Sequence, residues 1–315
     1  MIAEQSFWET ENGSPLLNRN CSFFTEEATS QILQRAELFL DFVEEKAGGP
    51  LDVNFEHHCD DPEIKRMFVV DAERTFKSQK NRKCLCETLE LIWSETKDYH
   101  QGMGFVCAFL LLLLKPSVVA TIITGLHRHY VNGYFKSAAK LYVRDSRVFG
   151  KLLRKLHPSV ADCVEPRVPP EAYCSKWFIG LNVHVLPFEA LLLFFEAFLQ
   201  KGNDFLFDFA LSLVRTCEND ILSAKDLSVV LAILRLDASI YPDDKAASGS
   251  EENGSFFTKI VNDAYSSVLE NENLSQLRLE ADEDLSFEEE RRQKREAELD
   301  MDSSDEIVFS DEEDP

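Results

Sequence analysis

The chain has 315 residues, 44% of them apolar and 24 of them Phe, enough to bury the core of one large domain or two ordinary ones. Its formal charge is −23, which excludes nucleic acid and an anionic membrane surface as main partners, because both attract net Lys and Arg. The opening stretch MIAEQSFWETENGS has neither a basic start nor an apolar centre, so it does not read as a secretory signal.

Residues 1–24 show no sustained apolar period and read as a flexible N-terminal segment. From residue 25 the pattern turns helical. Thr25 is placed to cap a helix whose apolar positions Ala28, Ile32, Ala36, Phe39, Leu40 and Val43 recur at spacings of three and four. Gly48-Gly49-Pro50 stops it. The triplet His57-His58-Cys59 lacks the second cluster that about four zinc ligands require, so no metal site is expected. Asn81 is placed to cap the next helix, with Leu85, Leu89, Ile92 and Trp93 on one face.

Asp98–Pro116 reads DYHQGMGFVCAFLLLLLKP. A polar cluster runs straight into the apolar run Met103–Leu114. That run is too short to span a bilayer, which takes about 20 residues, and Lys115-Pro116 interrupts it. It reads as a buried helix. A further helix after Pro116 carries Val119, Ile122, Ile123 and Leu126. Pro187 before Phe188–Lys201 and Gly202 after it give the proline-start, glycine-stop asymmetry of a helix. Asp204–Thr216 reads as another. Ser223 is placed to cap the one containing Leu227, Val230, Leu231 and Leu234. The Phe-rich stretch Phe188–Phe209 reads as core.

No long stretch alternates apolar with polar, so the fold class is all-α, a domain of many packed helices over 25–242. A polar loop is expected at 243–255 and an additional helix at 256–269. From Glu270 to Pro315 there are 19 acidic and 5 basic residues, a net of −14. Such a segment buries too little apolar surface to offset its ordering entropy and reads as a largely disordered acidic tail. Within it Glu288–Leu299 has opposite charges four apart, at Glu288/Arg292 and Glu290/Lys294, and reads as transiently helical. Ser303, Ser304 and Ser310 lie among acids, in contexts favoured by acid-directed kinases. The eight cysteines, Cys21, Cys59, Cys84, Cys86, Cys107, Cys163, Cys174 and Cys217, form no C-x-x-C pair. They read as reduced thiols of a cytosolic protein.

Two clusters carry candidate chemistry. Phe68-Val69-Val70-Asp71-Ala72-Glu73-Arg74-Thr75-Phe76 places a carboxylate three residues before an arginine, within reach of orienting it. Tyr99-His100-Gln101-Gly102 stands at the mouth of the buried helix. Each alone is an ordinary ion pair or turn. Together and in this order they resemble the TBC domain, the catalytic domain of activators of Rab GTPases, whose motifs are I-x-x-D-x-x-R and Y-x-Q-G. Phe68 stands for the Ile, with Asp71 and Arg74 matching, and Tyr99, Gln101 and Gly102 match the second motif. Trp177-Phe178, Leu186-Pro187 and Phe195-Glu196, the last in place of Trp-Asp, extend the likeness, which is clearest over 60–235. Two departures stand beside it. The R-x-x-x-W pair that usually opens the domain is not found upstream, and Lys77 replaces the proline that often follows R-T-F.

The resemblance implies an activator of a Rab-family small GTPase and hence a regulator of vesicle trafficking. Arg74 would be an arginine finger and Gln101 a glutamine finger, supported by Asp71, Tyr99 and Gly102. It implies no cofactor of its own, since GTP and Mg are bound by the partner, and a cytoplasmic location with recruitment to endomembranes through that partner. A catalytically inactive GTPase-binding scaffold, or an unrelated helical interaction protein, is the alternative.

Overall fold

The computed structural model describes residues 1–11, 26–55, 59–136, 138–242, 255–266, 269 and 272–304. Every regular element among them is a helix, as the periodicity predicts. The chain divides into two units, Met1–Glu272 and Asn273–Pro315. The first holds α1 (Gln5–Glu11), α2 (Glu26–Ala47), α3 (Pro62–Thr75), α4 (Gln79–Thr96), α5 (Gln101–Leu113) and α6 (Pro116–Gly125). After a π-turn at Leu126–Tyr130 come α7 (Lys140–Leu156), α8 (Pro158–Val164), α9 (Pro170–Phe178), α10 (Phe188–Lys201), α11 (Phe205–Ser223), α12 (Leu227–Leu234) and α13 (Phe256–Tyr265). The second unit is described as one helix, α14 (Leu274–Ser304).

α5 explains its own sequence. Eleven of its thirteen residues are buried, because α2, α3, α4 and α6 surround it. A helix that is apolar all round is one with neighbours on all sides. The described residues contain no helix long and apolar enough to cross a membrane.

α10 is the second centre. Phe194 packs on Phe198, Phe205 and Phe209, and Phe195 on Phe109 and Phe39, with ring centroids 4.8–6.3 Å apart. Aromatic rings in such offset and edge-on pairs fill a core densely. The Arg35 guanidinium meets the Glu196 carboxylate through two hydrogen bonds of 2.6 Å, beside the Phe39–Phe195 stack. Arg35 and Phe39 thus have the spacing of the opening pair that the sequence did not reveal, with Phe for Trp. They meet Phe195-Glu196, the stand-in for Trp-Asp.

Several expectations need correction. The first eleven residues are not a flexible lead. Ile2, Phe7 and Glu11 are buried, and the Ile2 amide donates to the Leu112 carbonyl at the far end of α5. The Trp8 indole N–H donates back to the Ile2 carbonyl at 2.9 Å. Asn81 does not cap α4. The helix begins at Gln79, and Ser78, in the cap position, makes no side-chain cap bond. α12 is capped by Asp226, whose carboxylate accepts from the Val229 amide, and not by Ser223, which ends α11. α13 stops at Tyr265, short of Leu269.

In the second unit α14 is longer than the Glu288–Leu299 stretch singled out in sequence. Arg292 pairs along it with Glu289 and Glu296 at 3.9 and 3.7 Å. Every described side chain from Ser286 to Glu296 is exposed. Thr25, His57, His58, Cys21, the 243–254 loop, Ser310 and the side chains of Ser303 and Ser304 lie outside the described residues.

Candidate functional site

α3 is a well-specified helix. The Asp61 carboxylate accepts from the Glu63 and Ile64 amides at its start, and Pro62 occupies the first turn, where a missing N–H costs nothing. It ends at Phe76, which turns to extended backbone. Arg74 stands in the last turn with its side chain 62% exposed. Asp71, one turn earlier, is buried.

The two sequence motifs meet at Asp71. The Tyr99 hydroxyl donates to its Oδ2 at 2.6 Å, across 28 residues of chain. The Tyr99 ring stands edge-on to Phe68 with centroids 4.8 Å apart. The Phe at the family's Ile position is therefore part of the joint. Burial, and then the Asp71 carboxylate, push the Tyr99 phenol far above its ordinary range, so it stays a donor. Asp71 Oδ1 lies 3.7 Å from an Arg74 guanidinium nitrogen. That is a loose contact to an exposed cation, of little energetic weight. Tyr99 is the firm partner of Asp71, and Arg74 remains able to swing outward. The sequence expects Asp71 to hold Arg74 directly. The geometry places it under the arginine, as the link to the second motif.

Gln101 is the first residue of α5 and is exposed. Its side chain makes no hydrogen bond among the described residues. The residues around it are fixed. His100 Nδ1 accepts the Gly102 amide at 3.0 Å and caps the helix, a role the sequence does not signal because His is a rare cap. Burial lowers the His100 pKa from its ordinary 6.5, against the opposing pull of Asp71. A β-carbon on Gly102 would sit 2.4 Å from Ile179 Cγ2 and 3.1 Å from the Ile179 carbonyl oxygen. One on Gly104 would sit 2.7 Å from the Tyr99 hydroxyl. Both glycines are spaces for other groups. Gly104 escapes sequence reasoning because its reason is a contact with Tyr99, five residues before it.

The arrangement is two exposed polar groups, a guanidinium and a carboxamide, on the ends of two packed helices. Buried members Asp71, Tyr99, Gly102 and Gly104 tie those ends together. Nearby α3 also exposes Met67 and Val69, at 44% and 49%. Two exposed polar tips suit a macromolecular face better than a closed small-molecule pocket.

Comparisons with known proteins agree with this fold. The Rab-GTPase-TBC domain family model matches residues 52–222. The chain is 29% identical over 178 residues to growth hormone-regulated TBC protein 1 of Xenopus tropicalis, covering 52% of each. It is 28% identical over 229 residues to growth hormone-regulated TBC protein 6 of Caenorhabditis elegans, covering 69% of this chain and 66% of that one. The chain spans about half the length of several curated relatives it matches. Among solved structures it is similar to the Chlamydomonas flagellar RabGAP TBC domain, with a TM-score of 0.56 at 16% identity over 77% of this chain and 84% of that one. The TBC domain of Skywalker from Drosophila melanogaster gives 0.56 at 11% identity, over 87% and 99%. At those identities the structural likeness speaks for the fold, and the family match covers more than half of the sequence: the chain belongs to the Rab-GTPase-TBC domain family.

Proposed function

We propose that the protein activates a Rab-family GTPase by inserting Arg74 and Gln101 into the partner's nucleotide site. The observation that carries this reading is the contrast in burial. Arg74 and Gln101 face solvent, while the groups that mount them, Asp71, Tyr99 and Gly102, are buried. A surface ion pair or a simple turn needs no such mount.

The chemistry follows from the groups. GTP hydrolysis builds charge on the transferring phosphoryl group, and the protein contributes positioning and electrostatics more than covalent steps. The Arg74 guanidinium is permanently charged, and its planar fork can contact more than one phosphate oxygen. The Gln101 amide can accept a hydrogen bond from the attacking water through its carbonyl and donate one to a phosphate oxygen through its NH₂, orienting both without taking a proton. GTP and its Mg would be held by the partner. The loose Arg74–Asp71 contact lets the arginine leave at small cost. Action on a Rab would place the protein in vesicle trafficking, with recruitment to membranes through the GTPase.

Single-turnover hydrolysis on a panel of GTP-loaded Rabs tests the reading. Arg74→Ala and Arg74→Lys should each remove most of the stimulation, a loss on the order of 10³ or more, with the circular dichroism of wild type. Gln101→Ala should lower the rate steeply while binding to the GTP form persists, since its contact matters mainly in the transition state. A cognate Rab whose own switch glutamine is changed to Ala should still respond to wild type. Undiminished stimulation by a folded Arg74→Ala protein rules the arginine finger out. A wild-type chain that binds GTP-loaded Rabs without accelerating hydrolysis is a scaffold.

A further inference from the structure

We propose that Glu11 is a positioning residue for the arginine finger, acting from the N-terminal helix on the turn that follows Arg74. The inference rests on the functional reading above for the word finger, but the clamp itself stands on geometry.

Glu11 is the last residue of α1 and is fully buried. Its Oε2 accepts the Lys77 amide at 2.9 Å. Its Oε1 accepts the Ser78 amide at 2.9 Å and the Asn81 side-chain amide at 2.8 Å. A buried carboxylate is stable only where such donors converge on it. Two of the donors belong to the turn between α3 and α4 and the third to the first turn of α4, all more than sixty residues away in sequence. Ser78 leaves its cap role undone, and Asn81, on the third residue of α4, does not reach back to the Ser78 amide. Glu11 takes that amide instead and sets a negative charge at the positive end of α4, where it is favoured.

The other side of the turn is held too. Arg82 Nε donates to the Phe76 carbonyl at 2.6 Å. The peptide groups of residues 76–78 are therefore gripped by a guanidinium on one side and a carboxylate on the other, two to four residues beyond Arg74. α1 in turn is anchored at its start, where the Ile2 amide meets the Leu112 carbonyl of α5. An exposed ion pair, Glu4–Lys80 at 2.8 Å, adds a second link to α4. α1 thus spans from the helix that carries Gln101 to the turn that follows Arg74.

Lys77 gives the proposal its independent handle. It stands where the resemblance expects a proline, and a proline has no N–H to give Glu11. Phe76, at φ −121° and ψ 147°, already has the extended conformation that a following proline imposes. The Lys77–Glu11 hydrogen bond would then do with a donor and a distant acceptor what the ring does by restricting the backbone.

The test is a cycle of Glu11→Gln, Lys77→Pro and the double variant in the full chain. Readouts are hydrogen exchange at the Lys77 and Ser78 amides and single-turnover hydrolysis with a responsive Rab. Glu11→Gln keeps the size of the side chain but brings an NH₂ against donors. It should speed exchange at both amides and lower kcat by about tenfold to a hundredfold, the range expected when a reacting group is displaced by about 1 Å. KM should move by less than about twofold, since the docking face is untouched. Lys77→Pro should lower kcat in the wild-type background, where it leaves the buried Glu11 Oε2 without its donor, and not in the Glu11→Gln background. Three results overturn the proposal: Ser78 exchange unchanged in Glu11→Gln, full kcat despite faster exchange, or the same effect of Lys77→Pro in both backgrounds. A wild-type chain inert on every Rab overturns the functional reading instead, and the exchange data still accept or reject the clamp.

Discussion

The two edges of the site are held by different physics. The turn after Arg74 is fixed by charge: Glu11 takes two backbone amides and Arg82 takes a carbonyl. The first turn of α5, beyond its His100 cap, is fixed by shape: Gly102 lies against Ile179, and Gly104 makes room for the Tyr99 hydroxyl. Hydrogen bonds of the first kind can be weakened one at a time. Close packing of the second kind has no intermediate setting, because interiors are already dense.

The packed edge should therefore break hardest. Gly102→Ala drives a methyl into Ile179 and should cost about 1–3 kcal/mol of stability, the usual penalty of overpacking, together with most of the stimulation. Adding Ile179→Ala removes the nearer clash but not the carbonyl, so the double variant should recover part of the melting temperature. A melting temperature unchanged in Gly102→Ala would show that Gly102 and Ile179 are not in contact there.

The joint between the edges should give a middle effect. Tyr99→Phe keeps the ring on Phe68 but removes the donor to Asp71. A buried acceptor that loses its donor costs about 1–3 kcal/mol, and the loss should appear in thermal denaturation and as a moderate fall in kcat. Following it with Asp71→Asn, which removes the stranded charge, should cost less than the same change made in wild type. Additive effects of the two changes would mean that Tyr99 and Asp71 act separately, and the comparison would lose its hinge.

How far all this was legible in the sequence depends on how local its cause is. Arg74, Gln101 and the buried helix α5 stand in short motifs and one long apolar run, and a chain read in windows finds them. α7 was missed because its buried face carries polar residues. Asp145 and Ser146 interrupt the apolar stripe, and only the fold shows them satisfied by the Tyr134 hydroxyl and the Tyr142 carbonyl. α3 carries a motif that the sequence shows, while its helix is shown only by the structure. Arg35 and Phe39 were hidden by one change, Phe for Trp, and their meaning lies in Glu196 and Phe195, more than 150 residues on. Glu11 gives no local signal at all, since an acid in a polar N-terminal stretch looks solvated until the α3–α4 turn arrives beside it. Local signals gave the helices and the candidate fingers, while the mounts are long-range.

The smallest expected effect separates the two edges by pH. His100 caps α5 through an unprotonated Nδ1, and burial lowers its pKa below 6.5. A group whose native pKa is depressed binds fewer protons folded than unfolded as the pH falls below 6.5. Its contribution is thus complete above that value and is lost as the pH falls toward the lowered native pKa. His127 and His184 are lowered as well, His184 to about 4, mainly by burial. Global melting in acid therefore sums all three, and a local readout is needed. The imidazole resonances of His100 should titrate below 6.5, and exchange of the Gly102 amide should quicken over the same range. His100→Asn keeps a side-chain acceptor at the cap without a titrating group. It should hold the Gly102 amide evenly as the pH falls below 6.5, whereas wild type loses a cap, worth about 1 kcal/mol, as the ring becomes protonated. A His100 that titrates at or above 6.5 would mean that the ring is not buried as a cap, and the contrast between the edges would then be one of packing alone.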